Sequence, residues 1–235
     1  MKLLVTGATS GIGRATCKRF LAQGSEVFGV GRNLEKFPCD HEHYRGTNLD
    51  LADLAKLPSE LKKLVEIVGT PDGVVCCAGA GRFGELEQFS YAQISRLIDL
   101  NFTSHAYLVR AFLPLMKRAG RGRLLFVGSE AALQGAQKGA VYCASKFALR
   151  GFAQSLRAEC ARSGIAVSIV NPGMVRSDFY ADLDFAPGPD PENHLEPEDV
   201  ADVIVGILKA RHEAVAEEVN ITPLKRSIDF GSGKD

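Results

Sequence analysis

The chain has 235 residues, and its 28 lysines and arginines balance its 28 aspartates and glutamates. That balance leaves no basic field for nucleic acid or anionic lipid, so neither is expected as a partner. No stretch approaches the roughly 18 apolar residues of a membrane span, and the first residues reach a glycine-rich turn too soon for a signal peptide, which points to a cytoplasmic protein.

Lys2-Leu3-Leu4-Val5 predicts a strand over 2–6, and Thr6-Gly7-Ala8-Thr9-Ser10-Gly11-Ile12-Gly13 follows it directly. Helical character then runs over 11–23, with Gly24 as its stop. Strand, glycine turn and helix form the context of a dinucleotide-binding fingerprint. Gly7 permits the tight turn, Gly11 lets the backbone approach a pyrophosphate, and Gly13 allows the helix to pack closely on the strand. Thr9, Ser10 and Ile12 belong to the same loop, and the pyrophosphate charge would lie against free N–H groups at the helix N-terminus. Taken alone, the segment also reads as an ordinary glycine-rich strand-to-helix turn.

A second strand over 26–31 leads into Val30-Gly31-Arg32-Asn33, which carries no carboxylate. An NAD site would place an acid there for the ribose 2′-hydroxyl. Gly31 instead leaves room, and Arg32 offers a planar set of donors to a 2′-phosphate, with Arg14 adding to the field. NADP(H) is therefore the expected cofactor, and replacing Gly31 by Asp with a neutral residue at 32 is expected to reverse the preference. The plainer alternative is an exposed arginine after a strand.

Further strands are predicted at 43–48, 73–77, 123–128, 166–171 and 219–222. Helices are predicted at 50–67, 90–118, 141–162 and 197–211, with Pro58 interrupting the first of these. Strands that alternate with helices, and that are nearly continuously apolar or β-branched, predict a parallel sheet covered on both faces. The expected fold class is a single doubly wound α/β Rossmann-type domain over 1–230, with no linker to divide it. Residues 178–199 stand apart, with Pro187, Pro189, Pro191 and Pro197, eight acids and no lysine or arginine. By composition they read as a solvated loop. Residues 231–235 are expected to form a flexible tail. The six cysteines include no Cys-x-x-Cys pair, and adjacent Cys76 and Cys77 would face opposite sides of a strand, so reduced thiols and no metal site are expected.

Tyr142-Cys143-Ala144-Ser145-Lys146 is the most informative stretch. Four residues apart on a helix, Tyr142 and Lys146 share a face, one turn apart. A tyrosine titrates near pH ~10, and moving it to about 7 takes roughly 4 kcal/mol. A close, poorly screened ammonium, helped by a cofactor's positive ring, supplies that order of energy. The phenol would then exchange a proton with a carbonyl near neutral pH.

With both elements present, the chain resembles the short-chain dehydrogenase/reductase family over nearly its whole length. Gly7, Gly11 and Gly13 reproduce that family's Thr-Gly-x-x-x-Gly-x-Gly, and further landmarks follow in its order. Cys77-Ala78-Gly79 closes an apolar run where the family has Asn-Ala-Gly. Asn101 follows Leu100 in a long helical pattern. Ser129 ends the run Leu124–Val127 and precedes Tyr142 by the usual distance, and Pro172-Gly173 follows Val167–Asn171.

The resemblance implies a mobile substrate lid over 178–199 that covers the site, and roles position by position. Tyr142 would be the general acid in carbonyl reduction and the base in reverse. Lys146 would bind the nicotinamide ribose and lower the Tyr142 pKa, and Ser129 would hydrogen-bond the substrate oxygen. Asn101 would hold a water joining Lys146 to solvent, though an amide capping nearby backbone is an equal reading of that residue. Asp50 would contact the adenine with Leu51 beside it, cap the helix starting there, or do both. Ala78, Gly79, Pro172, Gly173 and Val175 would complete the cofactor site, with Ser177 at the carboxamide where threonine is common. Cys77 departs from the family asparagine, so any bond that amide makes between strands is lost or replaced.

The expected activity is hydride transfer between NADP(H) and a small-molecule carbonyl or secondary alcohol. A non-catalytic NADP(H)-binding regulator and a 3-oxoacyl-acyl-carrier-protein reductase are alternatives on the same fold, the latter with Lys117, Arg118, Arg121 and Arg123 as its basic surface. A nucleotide-sugar epimerase is disfavoured, because only about 60 residues follow Pro172. Phe83, Phe179, Tyr180 and Phe185 hint at an aromatic pocket near the cover. In 141–162, Phe147, Leu149, Phe152, Leu156 and Cys160 cover a wide arc that leaves surface to bury, and the resemblance implies that this helix and 90–118 pair with their copies in a homodimer or homotetramer.

Overall fold

The computed structural model describes residues 1–230, and the tail expected at 231–235 lies outside the described residues. In chain order the elements are β1 (Lys2–Thr6), α1 (Gly11–Leu21), β2 (Glu26–Gly31), β3 (Tyr44–Asn48), α2 (Leu57–Val68) and β4 (Gly73–Cys76). There follow α3 (Tyr91–Ile98), α4 (Ser104–Ala119), β5 (Gly122–Val127), α5 (Ala140–Cys160) and β6 (Ile165–Pro172). The chain continues through β7 (Ala186–Pro187), α6 (Pro197–Lys209), β8 (Glu218–Ile221) and β9 (Ile228–Asp229). Seven strands form one parallel sheet in the order β3-β2-β1-β4-β5-β6-β8.

Every residue of β4, β5 and β6 is buried, as strands covered on both faces require. Alternation along β1 divides the core: Leu4 joins Phe112, Phe126 and Leu149 on one face, and Leu3 and Val5 join Phe20 and Ile204 on the other. The strand order reverses between β1 and β4, because the chain leaves β3 at one edge and returns on the opposite side of β1. In sheets of this kind the crevice at the carboxyl ends of the strands opens at that reversal.

The helices depart from their expected bounds at two places. The predicted helix over 50–67 begins only at Leu57, and Pro58 occupies its first turn instead of interrupting it. A proline costs nothing there, since its missing N–H would have had no helical partner. Asp50 consequently caps a turn, its Oδ1 accepting from the Ala52 N–H at 3.0 Å. The predicted helix over 90–118 is broken into α3 and α4 by a π-helical turn, Asp99–Thr103, which holds Asn101 with no exposed surface. Such wide turns re-aim a side chain without ending the helix.

The segment after β6 is built rather than plainly solvated. Val175 bridges to Leu195 at its base, β7 pairs antiparallel with β9, and short 3-10 turns form at Asp178–Tyr180 and Pro191–Asn193. On α5, the arc expected to seek a partner is mostly covered within the chain: Leu149, Leu156 and Cys160 are buried and Phe152 packs against the core. Phe147 on α5 and Tyr107 on α4 keep exposed surface. No helix among the described residues is long and apolar enough to cross a membrane. All six cysteines are free, and no metal-ligating cluster occurs among the described residues.

Phe126 has no exposed surface at the centre of the sheet, where α5 crosses it. Phe126→Ala is expected to lower the unfolding free energy by about 3–5 kcal/mol, measured by equilibrium urea denaturation.

Candidate active site

The glycine turn after β1 takes its shape from backbone that side chains would block. Gly7 and Gly11 adopt φ of 67° and 47°, in the left-handed region. A Cβ on Gly13 would overlap the Gly7 carbonyl oxygen, so this helix reaches its strand only through glycine. At the start of α1, Ser10 makes no side-chain capping bond and the first turn carries no acid. The Gly13 N–H faces the Cys77 sulfur, and no side chain caps the N–H groups of Gly11 and Ile12, which suits an anion.

From this turn a cavity of about 540 Å³ runs across the carboxyl ends of the central strands. Arg32 and Lys36 line it near the glycine turn, and Ser129, Tyr142 and Lys146 line it beyond Ala78 and Gly79. Pro172, Gly173, Val175 and Ser177 contribute from the end of β6 and after it. Lys36 escaped the sequence reading. It closes a 3-10 turn, Leu34–Lys36, capped by the Asn33 side chain on the Glu35 N–H at 2.9 Å, and its only signal was a second cation four residues after Arg32.

Three residues expected at the cofactor do not line the cavity. Thr9 turns its side chain to Gly31, where a Cβ would come within 2.6 Å of the Thr9 methyl. The space expected beside Gly31 is therefore filled, and an aspartate there would collide before it reached a ribose. Leu51 is buried in the core, and Asp50 pairs with Arg96 at 3.3 Å. Arg14 is also absent from the lining.

Tyr142 and Lys146 lie one turn apart on α5, and both are buried. The Lys146 Nζ donates to the Val127 carbonyl at 3.1 Å and stands 5.9 Å from the centre of the Tyr142 ring. Burial brings the Lys146 ammonium down to about 8, while the neighbouring Cys77 acts in the opposite direction. Burial also holds the Tyr142 phenol above its ordinary value, and a hydrogen bond with Ser129 only partly offsets this. The expected order, with Lys146 pulling the phenol towards neutrality, is not set by the chain's own groups: desolvation outweighs it.

The loop after β4 is tied on three sides. Thr6 Oγ1 accepts from the N–H groups of Cys77 and Ala78 at 3.0 and 3.1 Å, which joins the ends of β1 and β4. That hydroxyl links the two strands, and the Cys77 sulfur meets the Gly13 N–H. His105 Nε2 lies 2.8 Å from the Ala78 carbonyl oxygen, and burial brings its pKa down to about 4, so it donates as a neutral ring. The Asn101 amide accepts from the Ala80 N–H at 2.9 Å and donates to Ala80 O and Ser145 Oγ, each at 3.0 Å. The capping reading of Asn101 thus describes its two bonds to the Ala80 backbone, while its other N–H goes to the Ser145 side chain. Its Oδ1 and the Lys146 Nζ nevertheless converge on Gly79, 3.3 and 3.7 Å from where a Cβ would stand. His105 was missed in the sequence, where a histidine one turn after Asn101 was the available signal.

Known proteins share this architecture. The profile of the family described as short chain dehydrogenase matches residues 2–186. An uncharacterized oxidoreductase of Staphylococcus epidermidis is 28% identical over 225 residues, 94% of this chain and 96% of the relative. An alcohol dehydrogenase of the archaeon Thermococcus sibiricus, solved with 5-hydroxy-NADP, is 25% identical and superposes with a TM-score of 0.85 over 96% of this chain and 97% of that one. The closed form of a serine dehydrogenase complexed with NADP+ gives 25% identity and a TM-score of 0.85 over 100% of this chain and 98% of that one.

The buried ammonium has a consequence for stability. An unfolded lysine titrates near ~10.4 and Lys146 in the fold near about 8, so between these values the unfolded chain binds more protons and stability rises with pH. Below about 8 the penalty is fully present, on the order of 3 kcal/mol. Lys146→Met is therefore expected to be more stable than the parent at about pH 7 without added cofactor, with the gap closing as pH rises towards about 10. Urea denaturation at stepped pH measures both.

Proposed function

The chain belongs to the short-chain dehydrogenase family, and from that premise we propose that it transfers a hydride between NADP(H) and a carbonyl or secondary alcohol, with Tyr142 as general acid and base. One observation carries the reading: Tyr142, Lys146 and Ser129 gather at one part of a cavity that the glycine turn, Arg32 and Lys36 line elsewhere.

The residues suit a dinucleotide. The uncapped start of α1 and the Cβ-free surface of Gly11 would receive the pyrophosphate, and Arg32 with Lys36 the 2′-phosphate. Lys146 would hold the nicotinamide ribose, and Ser177 the carboxamide. The bound cofactor supplies the hydride and, once oxidised, a positive ring.

Ser129 and Tyr142 donate to the substrate oxygen and fix it for attack at the carbonyl carbon. The Tyr142 proton passes to that oxygen as charge develops there. The Lys146 ammonium steadies the phenolate left behind, and a water between its Nζ and the remaining acceptor position of Asn101 Oδ1 returns the proton from solvent. His105 and Asn101 hold the Ala78–Ala80 backbone against which the cofactor would lie. The acyl-carrier alternative loses one of its cations, since Arg123 is buried with its guanidinium 2.7 Å from the carbonyls of Ala210 and Arg211. Assembly through 90–118 and 141–162 would use the exposed Tyr91, Tyr107 and Phe147, and light scattering at micromolar concentration decides between an oligomer and a single chain.

Tyr142→Phe is expected to lower turnover at least about 100-fold while NADPH still binds, measured by steady-state oxidation and cofactor titration. Near-normal turnover would place the proton donor elsewhere. The double variant Arg32→Ala, Lys36→Ala is expected to weaken NADPH binding by about tenfold or more and to leave NADH within about threefold. Equal affinity of the parent for both cofactors would remove the 2′-phosphate assignment.

A further inference from the structure

Hydride transfer needs Tyr142, but it does not need the aromatic side chains packed around it. The Phe83 ring stands 5.0 Å from the Tyr142 ring, and Phe179 stands 5.9 Å from it. Phe83 meets Phe185 edge-on at 5.0 Å, and Tyr180 joins Phe179 to Phe185 at 5.1 and 5.9 Å. These rings come from three separate segments: the loop after β4, the start of α5, and the segment after β6. Apart from Tyr142, each is half-buried, so each keeps surface beyond its contacts with the others.

A plain local core would account for rings in contact, but two observations place this wall at the reacting group. Phe179 and Tyr180 line the same cavity as Tyr142 and Ser129. Gly81 is bare where the Phe179 ring lies, and a Cβ on it would overlap that ring. The charged residues that line the cavity next to Phe179 and Tyr180 are acids. Asp178 and Asp182 line the cavity beside the rings, and the Glu130 carboxylate acts on both the Tyr142 and Tyr180 phenols. Arg32 and Lys36 belong to the glycine-turn part of the cavity, and Lys146 lies beneath Tyr142. A carboxylate on the substrate would face repulsion here, since the Arg82 guanidinium lies over the Phe89 ring and outside the cavity lining.

Resting on the hydride-transfer reading, we propose that the substrate is an uncharged aryl ketone or aryl aldehyde, or the matching aryl carbinol, whose ring stacks on Phe179 and Tyr180, the two rings of the wall that line the cavity beside Tyr142. The rings begin at the first contacts of Tyr142, so the group they stack must be attached next to the carbonyl. Offset and edge-to-face contacts favour a planar ring over a saturated ring of the same size. In reduction the carbonyl carbon takes a hydride from NADPH, leaving NADP+, and the oxygen takes the Tyr142 proton. One C=O becomes one CH–OH, and solvent reprotonates Tyr142.

The test compares kcat/KM of the full chain with NADPH for acetophenone, cyclohexyl methyl ketone and phenylglyoxylate. Acetophenone is expected to exceed each of the other two by about tenfold, the scale that two aromatic pairs provide. Phe179→Leu and, separately, Tyr180→Leu keep an apolar side chain and remove the ring, and at least one is expected to bring the phenyl-to-cyclohexyl ratio down to about twofold. Equal rates for phenyl and cyclohexyl ketones, or a ratio unmoved in both variants, overturn the substrate class. If the aryl ketones are inert while aliphatic aldehydes, diketones or quinones are reduced, the substrate class falls and hydride transfer stands. If NADPH binds and no carbonyl in that wider panel is reduced, both fall.

Discussion

Keeping the Lys146 amine beneath the surface is the constraint around which the site is arranged. Its Nζ reaches the Val127 carbonyl at the end of β5, and the position of α5 decides whether it can. That helix is anchored one turn later. Arg150 Nε bonds both carboxylate oxygens of Glu218 at 2.9 and 3.0 Å, and Glu218 in turn accepts from the Asn171 amide at 3.0 Å. The ion pair ties α5 to β6 and β8 together. Desolvating an ammonium disfavours its charged form, so the fold gives up stability at the place where it concentrates polar groups.

How much of this was legible in the sequence depends on the range of the interaction involved. The buried strands β4, β5 and β6 announce themselves through unbroken apolar runs, and the glycine turn through residues whose spacing serves one backbone path. Tyr142 and Lys146 fall on one helical face by arithmetic. The misplaced features depend on partners far along the chain. Thr9 fills the space at Gly31 because β1 and β2 lie side by side, and no local pattern at 31 reports it. The π-helical turn at Asn101 has the same apolar periodicity as an ordinary helix, and what it serves is Ala80, 21 residues earlier. Thr6 reads as the last residue of a strand until the end of β4 arrives beside it. Pro58 was legible, but its effect was assigned to the middle of a helix instead of to its start.

The segment after β6 shows a related limit. Composition describes it as acidic and proline-rich, which is also how a solvated loop reads. Its aromatic residues decide otherwise, since Phe179 and Tyr180 turn inward while the carboxylates of Asp178 and Asp182 remain at the lining. The cavity is therefore polarised along its length, cationic towards Arg32 and anionic towards the acids after Ser177. Charges separated across such a cavity are screened less than charges on an open surface, so each part keeps its own preference among ligands.

The strand order also fixes a sequence of events during synthesis. β1 leaves the ribosome before its neighbours, yet it sits between β2 and β4, so residues 2–76 can assemble β3-β2-β1-β4 as half a sheet. The outer edge of that half-sheet is β4, Gly73–Cys76, buried at every position in the finished fold. Its cover, β5, begins only at Gly122, after α3 and α4 have been made. For that interval the nascent chain presents an apolar, unpaired strand edge, the kind of surface on which other chains add. The reversal that opens the cavity in the folded protein thus also sets the period in which the growing chain is most exposed to aggregation.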